Sequence, residues 1–142
     1  MSPAKRLPLA MELFKKAKAY QISAERLCER FFGNEPVIGI PMSDPIYYLY
    51  HHAAELALKA LLLSNNIRSG NEHRITVLLR ICREANLLIT ANNDQLARNL
   101  SLSILSEDRG FNYRYPGRVR VVLDLRWVRK AIPQLLDEIT PT

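Results

Sequence analysis

His51, Glu55 and Lys59 stand four residues apart, beside and within the apolar run Ala53 to Leu63. On a helix that spacing puts an imidazole, a carboxylate and an ammonium on one line. Imidazole titrates near neutrality, so such a line suits acid–base work. It suits an ion-paired stripe at the edge of a core equally well. Lys59 can lay its stem on apolar surface while its ammonium reaches Glu55 or water. A second pair is Arg68 and His73. Arginine holds phosphate by paired hydrogen bonds, and a neutral histidine can take a 2′-hydroxyl proton. Those are the parts of a metal-independent ribonuclease, although Ser69-Gly70 places a turn between them. His73 can instead cap a carbonyl or pack. The third group is Tyr113, Arg114 and Tyr115, followed by Pro116-Gly117. Such a segment can stack a base and hold a phosphate, or it can anchor a crossover loop through its rings.

The charge of the chain bears on these alternatives. It is +6 overall, with a pI near 9.6. The excess is concentrated: residues 109 to 130 carry Arg109, Arg114, Arg118, Arg120, Arg126, Arg129 and Lys130 against Asp124 alone. A field of that sign attracts phosphate or an acidic protein face, and Arg118 and Arg120 would extend it beyond Arg114. The usual nucleotide-fold fingerprints, GxGxxG and GxxxxGK, do not occur, and neither does HExxH. Cys28 and Cys82 fall within helical patterns and are expected to be buried thiols, since two cysteines alone make no structural zinc site. No metal or cofactor is expected. No stretch reaches the roughly 20 apolar residues of a membrane span, and no secretory leader is seen, so a cytoplasmic, non-membrane protein is expected.

The elements that must position these groups are helical by period. Leu13, Ala17, Tyr20, Ala24, Leu27 and Phe31 recur at three and four, predicting a first helix over about Pro8 to Phe32. Gly33, Asn34 and Pro36 should end it. Asp44-Pro45 is a helix start, and a second helix should run to about Asn66. Its expected buried face is Ile46, Leu49, Ala53, Leu56, Ala57, Ala60 and Leu61. Leu58, Leu62 and Leu63 make it apolar around more than half its circumference, as in a central helix or one shared with a partner chain. Ser69 with Glu72, or else Asn71, should cap a third helix carrying Ile75, Leu78, Leu79, Cys82, Ala85 and Leu88 or Ile89. A fourth holds Leu96, Leu100, Ser103 and Ile104. After an irregular stretch over 110 to 122, a last helix from Asp124 holds Leu125, Val128, Ile132, Leu135, Leu136 and Ile139, with Pro133 expected to kink or restart it. Burying these stripes against one another predicts a single all-α domain over residues 1 to 142, an antiparallel up-down bundle of four or five helices.

His52-Ala53-Ala54-Glu55-Leu56-Ala57-Leu58-Lys59-Ala60-Leu61-Leu62, then Gly70 and Glu72-His73, then Tyr113-Arg114-Tyr115-Pro116, resemble the HEPN domain, the higher eukaryotes and prokaryotes nucleotide-binding family. The likeness spans roughly Ile46 to Ile139. It implies an up-down helical bundle that is often homodimeric. Many relatives of this kind are metal-independent ribonucleases in toxin–antitoxin and related systems. Others are non-catalytic, bind nucleotides or accompany a minimal nucleotidyltransferase. The nuclease branch carries an Arg-x(4–6)-His motif near its second conserved hairpin. Here no histidine follows Arg109 to Tyr115, and only Arg68 and His73 satisfy the spacing, at the other hairpin. Arg114-Tyr115-Pro116 matches the nucleotide-binding branch instead. The expectation is therefore a non-catalytic, homodimeric module for a nucleotide or RNA phosphate, with Arg114 on phosphate and Tyr113 or Tyr115 on a base. Glu55 and Lys59 would orient neighbours, and His73 would close the pocket. The alternatives are a ribonuclease using Arg68 and His73, and a partner of a nucleotidyltransferase that docks through the second helix.

Overall fold

The structure is a computed structural model that describes residues 2–32, 43–87 and 125–139. Among them every regular element is an α-helix: α1 (Pro3–Phe32), α2 (Ser43–Ser64), α3 (Ile75–Glu84) and α4 (Leu125–Glu138). α2 is central, packing on α1, α3 and α4, and α1 also touches α4. The expected all-α bundle is therefore the observed one. The predicted fourth helix, the irregular stretch over 110 to 122 and the loop over 33 to 42 lie outside the described residues.

The α1–α2 contact is the broadest in the fold, and small side chains let it form. α1 buries Ala10, Ala17 and Ala24 at intervals of seven, with Phe14, Gln21 and Cys28 along the same stripe. α2 buries Ala53, Ala54, Ala57 and Ala60. Residues without a long side chain allow two helix axes to approach closely. Ala17 and Ala24 are buried as expected, and the remainder of the α1 core stripe lies about one position away from the expected one. Leu13, Tyr20 and Leu27, expected inside, are half-buried at its flank. On α2 the side chains of Leu49, Leu56 and Leu61 are likewise half-buried, while Tyr47, Tyr50, Leu58 and Leu62 go to the interior. Leucines carry the strongest hydrophobic weight in a pattern. The alanines decide which face can come closest.

The helix ends are set locally. α2 stops where Asn66 turns left-handed at φ 59°, with Ile67 N–H donating to Leu62 C=O at 2.8 Å and Asn66 N–H to Leu63 C=O at 3.0 Å. α3 stops in the same way: Asn86 has φ 59°, and Leu87 N–H donates to Cys82 C=O at 3.0 Å. Both are Schellman ends built on asparagine, whose short polar side chain tolerates that conformation. α3 is accordingly shorter than the run to Leu88 or Ile89 that periodicity predicts. Its start also differs from expectation. Residue Arg74 occupies the N-cap without a side-chain cap bond, and Glu72 works one step earlier. The Glu72 carboxylate accepts from the backbone N–H of His73 at 3.0 Å and of Arg74 at 3.1 Å. Pro8 and Pro133 both lie inside helices. α1 begins five residues before Pro8, and α4 runs through Pro133 without restarting. Packing of Val128, Ile132, Leu135 and Leu136 into the core holds that segment despite the lost N–H.

Candidate functional site

Three of the residues singled out for chemistry, Glu55, Lys59 and His73, converge at the C-terminal half of α2 and the turn that follows it. Glu55 is 5% exposed, and its Oε2 accepts from Lys59 Nζ at 3.0 Å, one turn further along α2. The same oxygen lies 3.0 Å from Nδ1 of His73, which the α2–α3 turn brings back across 18 positions of sequence. Burial alone would raise the Glu55 carboxyl, but the bonds from His73 and Lys59 outweigh it and leave its pKa below the ordinary value. An ionised carboxylate only accepts, so Nδ1 of His73 carries the proton in this bond. His73 keeps nearly a third of its side chain exposed. The turn itself is stiffened by Arg74, whose guanidinium grips Glu72 at 2.8 and 3.0 Å. That contact, with the two backbone N–H bonds, holds the Glu72 carboxyl down at about 2.

His51 departs from its expected place in the ion-paired line. It is 3% exposed, and its buried Nε2 has no hydrogen-bond partner among the described residues. Burial lowers its pKa to about 4, against the opposing pull of Glu55, so it is a neutral interior ring at physiological pH. His52 faces the other way. It stacks on Tyr48 with ring centroids 5.9 Å apart and planes 9° from parallel, and it meets Tyr20 of α1 in a T-shaped contact with centroids 4.5 Å apart and planes at 84°. Sequence reasoning passed over this aromatic group, although Tyr48 and His52 are four apart and therefore neighbours on a helix. A buried group also lies near the junction of α1, α2 and α4. There burial, and then Glu25 and Cys28, push the Tyr50 hydroxyl pKa up while Arg129 opposes them.

Arg68 is exposed on the same turn as His73 but is not among the groups bonded to Glu55. The side-chain contact that the structure records for His73 is with Glu55. Tyr113, Arg114, Tyr115, Arg118 and Arg120 lie outside the described residues. Cys28 and Cys82 are free and buried, as expected, and burial raises both thiols, Cys82 to about 11. Among the described residues no group of three or more His, Cys, Asp or Glu is placed to hold a metal ion, and no helix is long and apolar enough to cross a membrane. The apolar surface of α2 is largely taken up by α1, α3 and α4. Among the described residues the large exposed apolar side chains are Leu7, Leu9, Met11 and Ile22, all on α1.

Fold and site together define a helical-bundle module with a carboxylate-held histidine at one end of its central helix. The chain matches the HEPN domain model over residues 42–132 and belongs to that family. No curated protein and no solved structure matches it.

Proposed function

We propose that the domain acts on RNA as a metal-independent ribonuclease, with His73 as the proton-transferring group. The observation that carries this reading is the 3.0 Å contact between His73 Nδ1 and the buried Glu55 carboxylate. A carboxylate at the back of an imidazole fixes the ring and its tautomer, leaving Nε2 as the acceptor in the neutral ring. A site built only to bind phosphate gains nothing from a buried anion at its centre. In this mechanism Nε2 of His73 takes the proton of a ribose 2′-hydroxyl. The 2′-oxygen then forms a bond to the adjacent phosphorus as the bond to the 5′-oxygen breaks. The products are a 2′,3′-cyclic phosphate and, once the leaving oxygen gains a proton from water, a 5′-hydroxyl. The Lys59 ammonium, bonded to the same carboxylate oxygen as His73, is one cation for the charge that gathers on phosphate, and exposed Arg68 is a second.

The test is incubation of single-stranded RNA with the full chain in a chelator. Cleavage to cyclic phosphate ends is expected, and His73→Ala should lower its rate by about 10²–10⁴-fold while the helical circular dichroism is kept. Cleavage undiminished in that variant overturns the mechanism. Saturable RNA or nucleotide binding with no cleavage would instead support the non-catalytic reading. That reading rests on the charge excess over 109 to 130 and assigns the ligand to Arg114, Tyr113, Tyr115, Arg118 and Arg120. A homodimer would bring two such sites together, and the exposed apolar side chains of α1 are where self-association is expected. Among the described residues that same surface is the one open to a nucleotidyltransferase partner, since the apolar face of α2 is largely engaged within the chain.

A further inference from the structure

We propose that Tyr48, stacked on His52, is a base-stacking subsite for single-stranded RNA, continuous along α2 with the Glu55–His73–Lys59 centre. The inference rests on the reading of that centre as an RNA site, and it names the part of the ligand that the centre itself does not hold.

Three observations support it. The first is position. At about 100° per residue, Tyr48, His52, Glu55 and Lys59 fall within an arc of roughly 60° on α2. They form one continuous polar and aromatic line on a helix whose other outward positions include Leu49, Leu56 and Leu63. His52 is about 4.5 Å, and Tyr48 about 10.5 Å, along the axis from Glu55. Those separations are of the order of one nucleotide, measured from its base to its sugar and phosphate. The second is preorganisation. The two rings are held 9° from parallel, and Tyr20 of α1 braces His52 from the side. A ring held in place by the fold loses little entropy when a flat ligand settles on it. The third is accessibility. Tyr48 and His52 are both half-buried, unlike their neighbours Tyr47, Tyr50 and His51, which are in the core.

The chemistry defines the ligand class. Every base has a face that stacks on an aromatic ring, so the subsite accepts single strands with little sequence preference and rejects paired bases, whose faces are occupied. With Lys59 at the other end of the line, about 16.5 Å along the axis from Tyr48, the strand would lie along α2 with one base on Tyr48 and the phosphate of another nucleotide toward Lys59.

The experiment uses the full chain and a short single-stranded RNA carrying 2-aminopurine at each position in turn, with fluorescence read within seconds of mixing at low salt. Wild type should quench the probe saturably at one or two positions. Tyr48→Leu should bind about tenfold more weakly and lose that quenching, whereas Tyr48→Phe, which keeps the ring, should match wild type. An oligomer abasic at the quenched position should bind wild-type protein about tenfold more weakly than the intact one. Equal affinity of wild type for intact and abasic oligomers at every position overturns the proposal, and that comparison does not depend on any variant folding. Quenching retained in a folded Tyr48→Leu overturns it as well. If RNA is cut in a His73-dependent manner but Tyr48 proves irrelevant, this inference alone fails. If no RNA binds saturably, the reading of the Glu55–His73 centre fails with it.

Discussion

α2 is used in two opposite ways. Against the rest of the bundle it presents Ala53, Ala54, Ala57 and Ala60 with Ile46, Leu58 and Leu62, all fully buried. Along its polar line it presents Tyr48, His52, Glu55 and Lys59, and the α2–α3 turn folds His73 onto that line. The first region stabilises by shape, since close-packed side chains lose contacts when any of them changes size. The second places a carboxylate at 5% exposure, which costs free energy unless it is compensated by partners. Glu55 has two partners, and both bond to one oxygen, Oε2. A fold needing only stability would replace such a group with an apolar one at little loss. The apolar region therefore accounts for why the chain folds, and the polar line carries the groups that the proposed chemistry would use.

Substitutions can break or sharpen that contrast. The largest stability effect belongs to the apolar region: Leu58→Ala, at a fully buried position, should cost about 2–5 kcal/mol in chemical denaturation. Ala17→Leu at the α1–α2 seam should cost about 1–3 kcal/mol by overpacking. If both leave the midpoint unchanged, the alanine seam is not what holds α1 to α2.

Acid should affect the polar side next. His51 has a folded pKa of about 4 against an ordinary value of 6.5. Below pH 6.5 the unfolded chain takes up a proton that the native ring refuses. Stability is thus fully present above about 6.5 and falls as the pH drops toward 4. The loss from this group is on the order of 3 kcal/mol. Glu55, whose folded pKa is lowered from 4.5, contributes stability above 4.5 that is lost as the pH falls through its folded value. The denaturation free energy of His51→Leu, compared with wild type at pH 7 and pH 4, should show the smaller pH dependence; an equal slope would mean that His51 is not titrating from a buried state.

The smallest effect is expected at the helix end that carries the turn to His73. Asn66→Ala places an alanine at φ 59° and should cost about 1 kcal/mol, with Asn66→Gly close to neutral. Equal midpoints for the two would show that the left-handed end contributes nothing to stability.

Much of the fold was legible in the sequence. Apolar period located all four described helices, and Asn66 and the residues Val128, Ile132, Leu135, Leu136 and Ile139 were placed as observed. The early end of α3 at Asn86 was missed, because an asparagine inside an apolar period gives no warning that it will turn left-handed. The α1 stripe was displaced because hydrophobic weight ranks leucine above alanine, whereas close approach of two helices ranks them the other way. At the site, the Glu55–Lys59 bond followed from a spacing of four, which any helix enforces.

Local rules determined what the chain could determine by itself: where the helices run, and a pairing such as Glu55 with Lys59, since helical geometry alone sets that distance. Tertiary structure decided the rest. Whether His51 or His73 would meet the Glu55 carboxylate depended on how the turn after α2 closes, and the turn chose His73, 18 residues away. The same packing took His51 into the core and left His52 against Tyr20 and Tyr48. Burial and long-range contact come from the fold as a whole, so no local pattern could have distinguished these two adjacent histidines.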